Sequence, residues 1–165
     1  FLQKFKADWY NPMTQFIVKI TDVLVKPVRK FIPGFKGFDG AIIVIAFVLE
    51  LVQFYTTTLL HFGFVPHLVC TLLVAVMMLL SKTFYVCVLA IIVWTFLSWF
   101  TTVKQHPVGA LTESLAIPLV RFVRRYVPLL GGIDLSPLII VFALYLISHI
   151  VITPLMQVGL QMALG

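Results

Sequence analysis

From His67 to Gln105 the chain contains neither glycine nor proline, and only Ser81 and Lys82 separate two apolar runs, Pro66 to Leu80 and Thr83 to Phe100. No water-soluble domain of 165 residues can bury such a stretch together with two further runs, Gly40 to Leu60 and Pro137 to Ile152. Composition points the same way: 61% of residues are hydrophobic, 11% are charged, and the mean hydropathy is +1.09. The chain is therefore read as an integral membrane protein. In hydrocarbon every backbone amide needs an internal partner, and long continuous runs satisfy that need as helices rather than as barrel strands. The predicted class is all-α, a polytopic helical membrane protein forming one membrane domain over residues 1–165.

A crossing needs ~20 residues, and two of the four runs fall short of ~17. Pro66 to Val103 is therefore expected to return in one net crossing, either as one long helix or as a span with a re-entrant or surface-lying part. At ~1.5 Å per residue its 38 residues span ~57 Å, roughly twice the hydrocarbon thickness. The excess apolar length requires cover, with Lys82 snorkelling to a surface or with another chain packed on 66–82 as a partner or self-association surface.

Superposed on itself at an offset of 95, the chain matches Pro12, Leu24, Val25, Val28, Arg29, Pro33, Gly37 and Asp39 with Pro107, Leu119, Val120, Val123, Arg124, Pro128, Gly132 and Asp134. Lys26 with Arg121, Lys30 with Arg125 and Phe31 with Tyr126 keep their chemistry. This is a tandem duplication. Repeat one occupies 1–60, a connecting hydrophobic segment 61–82, and repeat two 83–165. "FLQKF" at Phe1 lies on "FLSWF" at Phe96, which ends an apolar run, so the first copy is also expected to end a transmembrane helix that begins before Phe1.

Each repeat contains an amphipathic segment. In the first, Met13, Phe16, Ile17, Ile20, Leu24, Val28 and Phe31 recur at helical spacing opposite Lys19, Lys26, Arg29 and Lys30; in the second, Val108, Leu111, Leu115, Leu119, Phe122 and Tyr126 oppose Arg121, Arg124 and Arg125. A basic face against Phe and Leu suits a helix lying at anionic headgroups. Pro27 and Pro118 are expected to break or kink these helices. Gly37, and Gly131 with Gly132, supply the backbone freedom for a sharp turn into the membrane. Asp39 and Asp134 then cap the helix that follows, with Ser136 before Pro137 as an overlapping cap.

Eleven of the twelve Lys and Arg residues lie before Gly37 or between Lys104 and Arg125. The positive-inside rule places both basic segments in the cytoplasm of a bacterial inner membrane. An inverted-repeat alternative would put one cluster on the opposite side.

Glu50 and Gln53 share one helical turn, and Ser148 and His149 lie at comparable depth in repeat two. A polar group there marks either a helix-to-helix hydrogen bond or proton or cation handling. The four histidines and two cysteines show no CxxCH or HxxxH spacing, and no glycine-rich phosphate loop or nucleophile elbow is present. No enzyme activity, cofactor, metal site or nucleic-acid partner is expected; the partners are membrane lipids and other membrane proteins.

"NPMTQFIVKITDVLVKPVRKFIPGFKGFD" and "HPVGALTESLAIPLVRFVRRYVPLLGGIDLSP" resemble the two copies of the YGGT repeat, so nearly the whole chain resembles the YggT family, which is related to YlmG. Lys30 stands where the motif has its second arginine, and Phe122 where a proline is usual. The resemblance implies help given to other membrane machinery, since relatives are linked to envelope and osmotic tolerance, to division and nucleoid distribution, and in chloroplasts to cytochrome b6f assembly. A small transporter or channel component for cations or protons is the alternative.

Overall fold

A computed structural model describes residues 8–32, 39–63, 65–100, 106–127 and 134–164. The expectations for Phe1 to Phe5 and for Gly37, Gly131 and Gly132 fall outside these residues. Among the described residues all regular structure is helical: α1 Pro12–Arg29, α2 Gly40–Phe62, α3 Leu68–Phe100, α4 Pro107–Arg124, α5 Ser136–Ile147 and α6 Thr153–Leu164. A π-helical turn, Ser148–Ile152, joins the last two.

Three rods are long and apolar enough to cross a membrane: Gly40–Phe62, Leu68–Phe100 and Ser136–Ala163. Four apolar runs thus become three spans. The second and third runs fuse because Ser81 and Lys82 sit inside α3 without breaking it, and the helix continues across the 82/83 repeat boundary. The fourth run, too short by itself, is prolonged by α6 into a 28-residue rod. Gly63, with φ of 72°, closes α2 in the left-handed conformation, its amide donating to the Leu59 carbonyl at 3.1 Å.

α3 is the central rod. Towards its start, Val74 packs with Phe54 of α2 and Ala163 of α6, with Cys70, Met78 and Met156 around them. Towards its end, Ile91 packs with Ala116 and Val120 of α4 and Ile140 of α5. Its 33 residues span ~50 Å, more than a bilayer core requires, and the chain's own α4 and α6 pack along one side of it while most of its large side chains stay exposed. The 66–82 segment is therefore only partly available to other chains: Thr71, Val74 and Ala75 are buried, whereas Leu68 and Val69 face outward. At Gly159 of α6 a Cβ would stand 3.0 Å from Val74 Cγ2, so α6 lies close enough to α3 that a long side chain there would press on it.

The amphipathic helices differ from expectation in two respects. Both run through their interior prolines, Pro27 and Pro118, without ending there. The residues that α4 buries most fully are Gly109, Thr112, Ala116 and Val120, with Leu119 of the apolar stripe packed beside them and the rest of the stripe half-buried or exposed. The small side chains at 109, 112 and 116 let the α4 backbone approach α3 and α5, leaving Phe122 and Tyr126 outside, where their rings meet edge to face at 5.7 Å.

Candidate functional site

Two features organise the polar groups: a platform at one end of the rods and a cluster between α2 and α3. At the platform, Asn11 caps α1 by accepting from the Met13 amide at 2.8 Å, while its Nδ2 donates to the Pro107 carbonyl at 2.7 Å. That second bond joins the start of α1 to the start of α4 across 96 residues, on a side chain only 6% exposed. Sequence periodicity carries no trace of it. The one hint is that asparagine precedes Pro12 where histidine precedes Pro107.

Each platform helix is also fastened to the rod that follows. Arg29 donates through Nη2 to Asp39 Oδ2, and Asp39 Oδ1 accepts from the Ala41 amide at 3.1 Å at the start of α2. In the second copy Arg124 Nε lies 2.8 Å from Asp134 Oδ2, and Asp134 Oδ1 accepts from the Ser136 amide at 3.0 Å. The two carboxylates hold the same places in the two repeats. Ser136 does not act as an overlapping cap, because its buried hydroxyl has no hydrogen-bond partner among the described residues. Partial burial acts to raise the Asp134 carboxyl, but hydrogen bonds from Arg124 and Ser136 outweigh it and leave it below its usual range.

Lys19, Lys26, Arg29, Lys30, Arg121, Arg124 and Arg125 are all exposed. Three of them have carboxylate partners: Arg29 and Arg124 as above, and Lys26 with Asp22 at 3.1 Å.

Within the rods, Glu50 is buried, and both of its oxygens lie 2.8 Å from Lys82 Nζ. The same ammonium is 2.8 Å from Gln53 Oε1. Glu50 is ten residues beyond the start of α2, ~15 Å along the helix and close to the centre of a ~30 Å core. A lone charge there costs at least ~2.5 kcal/mol, and the pairing offsets much of this. Lys82 thus does not snorkel; it turns to α2. It was the missing partner, and a lone basic residue midway through an apolar run is the signal that could have found it.

Ser148 and His149 sit elsewhere. Both lie in the π turn, where Thr153 Oγ1 donates to the Ser148 carbonyl at 3.0 Å. His149 is exposed and stacks on Tyr145, with ring centroids 5.5 Å apart and planes 9° from parallel. Among the described residues no hydrogen bond or ring contact joins His149 to Glu50, Gln53 or Lys82, and no group of His, Cys, Asp or Glu could hold a metal ion.

The CCB3/YggT family matches residues 2–60 and 73–155 of this sequence, covering both platform helices and most of the rods. The chain belongs to the CCB3/YggT family. An uncharacterized Pseudomonas aeruginosa relative is 38% identical over 158 residues, 93% of this chain and 79% of that protein. The uncharacterized protein YggT of Escherichia coli K12 is 32% identical over 142 residues, 86% of this chain and 73% of its own length. An uncharacterized Haemophilus influenzae protein is 28% identical over 148 residues, 90% and 78% of the two chains. No solved structure matches. The Arg29–Asp39 and Arg124–Asp134 pairs therefore sit within the matched part of a CCB3/YggT chain, as do Glu50 and Lys82.

Proposed function

We propose that this CCB3/YggT protein is a non-enzymatic organiser of the bacterial inner membrane, holding other membrane or envelope machinery in place during assembly. The supporting observation is the joining of α1 and α4 at one end of the rods through Asn11 and Pro107, with cations and large apolar side chains both left outside. Phe16, Ile20, Leu24, Phe31, Phe122 and Tyr126 are exposed beside Lys19, Lys30, Arg121 and Arg125. Apolar groups of that size with lysine and arginine suit the headgroup layer of an anionic leaflet, and the charge bias makes that leaflet cytoplasmic. In this reading the basic helices hold the protein at the lipid surface, and the outward faces of the rods, Leu68 and Val69 included, meet neighbouring chains.

The second reading, a small cation or proton transporter linked to osmotic tolerance, is favoured by Glu50 and Gln53 lying together at mid-depth. Against it, Lys82 occupies the Glu50 carboxylate, so a cation would first have to displace an ammonium from a buried partner. Two measurements separate the readings. Purification in native lipid patches is expected to recover a defined membrane complex, and proteoliposomes containing the protein alone are expected to pass potassium and protons no faster than empty ones. Flux that vanishes in Glu50→Gln, with no associated complex, would overturn the organiser reading.

A further inference from the structure

We propose that the exposed end of α4, Arg121 and Arg125 beside Phe122 and Tyr126, is a binding site for one anionic glycerophospholipid, and that the matching end of α1 is not. The inference deepens the organiser reading, on whose placing of α4 at the headgroup layer it rests.

Depth comes from the tie between Arg124 and Asp134. The other oxygen of that carboxylate accepts from the first turn of the rod Ser136–Ala163, so this turn of α4 stands level with the start of a span. Arg121 and Arg125 lie on either side of Arg124 in the chain, one helical turn apart and therefore on one face, and both are exposed. Among the described residues neither has a carboxylate partner, and Glu113, the one acid in α4, lies about two turns before Arg121. The residue after each arginine is aromatic: Phe122 is 63% exposed and Tyr126 74% exposed, their rings edge to face. Two unpaired guanidinium groups and two rings are thus presented together at headgroup depth.

The duplication supplies an internal comparison. At the offset of 95, Lys26 and Lys30 stand for the two arginines, Pro27 for Phe122 and Phe31 for Tyr126. Asp22 takes the place of Ile117 and lies 3.1 Å from Lys26, so one cation of that pair is already neutralised by its own helix. One ring is missing, and lysine is a point charge without the planar fork that holds a phosphate through two N–H groups. The end of α1 keeps a general attraction for an anionic surface, whereas the end of α4 has the parts of a site.

The occupant has to carry a phosphate and an apolar body in one molecule. A free phosphate or an acidic soluble partner would meet the arginines and leave both rings bare in water. A second copy of this chain would bring the same unpaired cations to the same depth, while its Asp22, Asp39 and Asp134 are paired within their own chain. An anionic glycerophospholipid meets both halves: its phosphate faces the guanidinium groups, and its glycerol and upper acyl carbons lie along Phe122 and Tyr126. A zwitterionic headgroup fits less well, because its own ammonium competes for the phosphate.

The test places the full chain in nanodiscs of phosphatidylcholine holding a minority of phosphatidylglycerol, and native mass spectrometry counts the lipids that stay bound. Phosphatidylglycerol is expected to be retained in preference. Arg121→Gln with Arg125→Gln should lower that retention by about tenfold or more, whereas Lys26→Gln with Lys30→Gln, which removes the same two charges, should lower it by less than about threefold. Should the first pair fail to fold, Arg121→Lys with Arg125→Lys decides, because it keeps the charge and removes only the forks: a partial loss supports the site, and unchanged retention overturns it. Equal losses from the two repeats, phosphatidylglycerol retained no better than phosphatidylcholine, or displacement by inorganic phosphate would each overturn it too. Where the site falls and a membrane complex still copurifies, the organiser reading stands; where the lipid is retained as expected and no membrane protein associates, the organiser reading falls and the site stands.

Discussion

Arg29 holds Asp39 across ten residues at the point where α1 gives way to α2, and Arg124 holds Asp134 across ten residues where α4 gives way to α5. In both places one carboxylate does two jobs: one oxygen accepts from the first turn of a rod, and the other accepts from the last turn of a platform helix. The duplicated device fixes the angle at which an amphipathic helix meets a span.

The two copies differ in burial, and so in their expected sensitivity. The Asp39 side chain is 5% exposed and that of Asp134 is 22% exposed. Removing the arginine leaves a poorly solvated carboxylate in the first case and a partly solvated one in the second. Arg29→Ala is expected to cost about 1–3 kcal/mol and Arg124→Ala less, because an unsatisfied group costs more the less water reaches it. Denaturant titration of the detergent-solubilised protein, followed by circular dichroism, checks the order.

Acid should act on the second tie. The carboxyl of Asp134 is held below its ordinary value of 3.8, so the folded state favours the charged form. Its contribution to stability is complete above the unfolded value and is lost as pH falls through the lower folded one. Tm is expected to drop on acidification below about pH 3.8, and Asp134→Asn should remove that part of the drop.

The Glu50–Lys82 pair makes a prediction of a different shape. Glu50→Gln leaves an ammonium and Lys82→Met a carboxylate, each without its counter-charge near the bilayer centre. Because Lys82 is half-exposed, each single change is expected to cost about 1–3 kcal/mol, short of the ~3–5 for a fully buried pair. The double variant carries no charge and should recover most of the loss. A double-mutant cycle on thermal unfolding measures the coupling.

Much of this architecture was legible in the sequence. The offset of 95 and the basic amphipathic segments depend on local spacing, which survives folding unchanged. What escaped depends on partners distant in the chain. Ser81 and Lys82 looked like a border between apolar runs; the continuity of α3 through them follows from the lack of glycine and proline there, but the partner of the lysine, Glu50, lies 32 residues earlier. Glu50 and Gln53 stood out as polar groups in an apolar run, whereas their shared partner could be found only by bringing α2 against α3. In α4 the stripe of large apolar residues is only half-buried, and the fullest burial falls on Gly109, Thr112, Ala116 and Val120, which periodicity of large side chains does not mark. The Asn11–Pro107 bond lacks any periodic signal.

Close approach can be tested at Gly159. A Cβ there would meet Val74 Cγ2 at 3.0 Å and Leu73 Cδ2 at 3.3 Å, both tips of side chains that can yield a little. Gly159→Ala is expected to be mild, and Gly159→Leu to cost about 1–3 kcal/mol by forcing α6 away from α3. Thermal unfolding of the two variants side by side measures the difference.

The central claim is that α1 and α4 form one platform on one side of the membrane, and sided thiol labelling tests it most directly. With Cys70 and Cys87 replaced by serine, Lys19→Cys and Arg121→Cys are each labelled by a membrane-impermeant maleimide in intact cells and in inverted vesicles. The account predicts that both positions react in inverted vesicles and neither reacts in intact cells. Reaction of the two positions from opposite sides would contradict it.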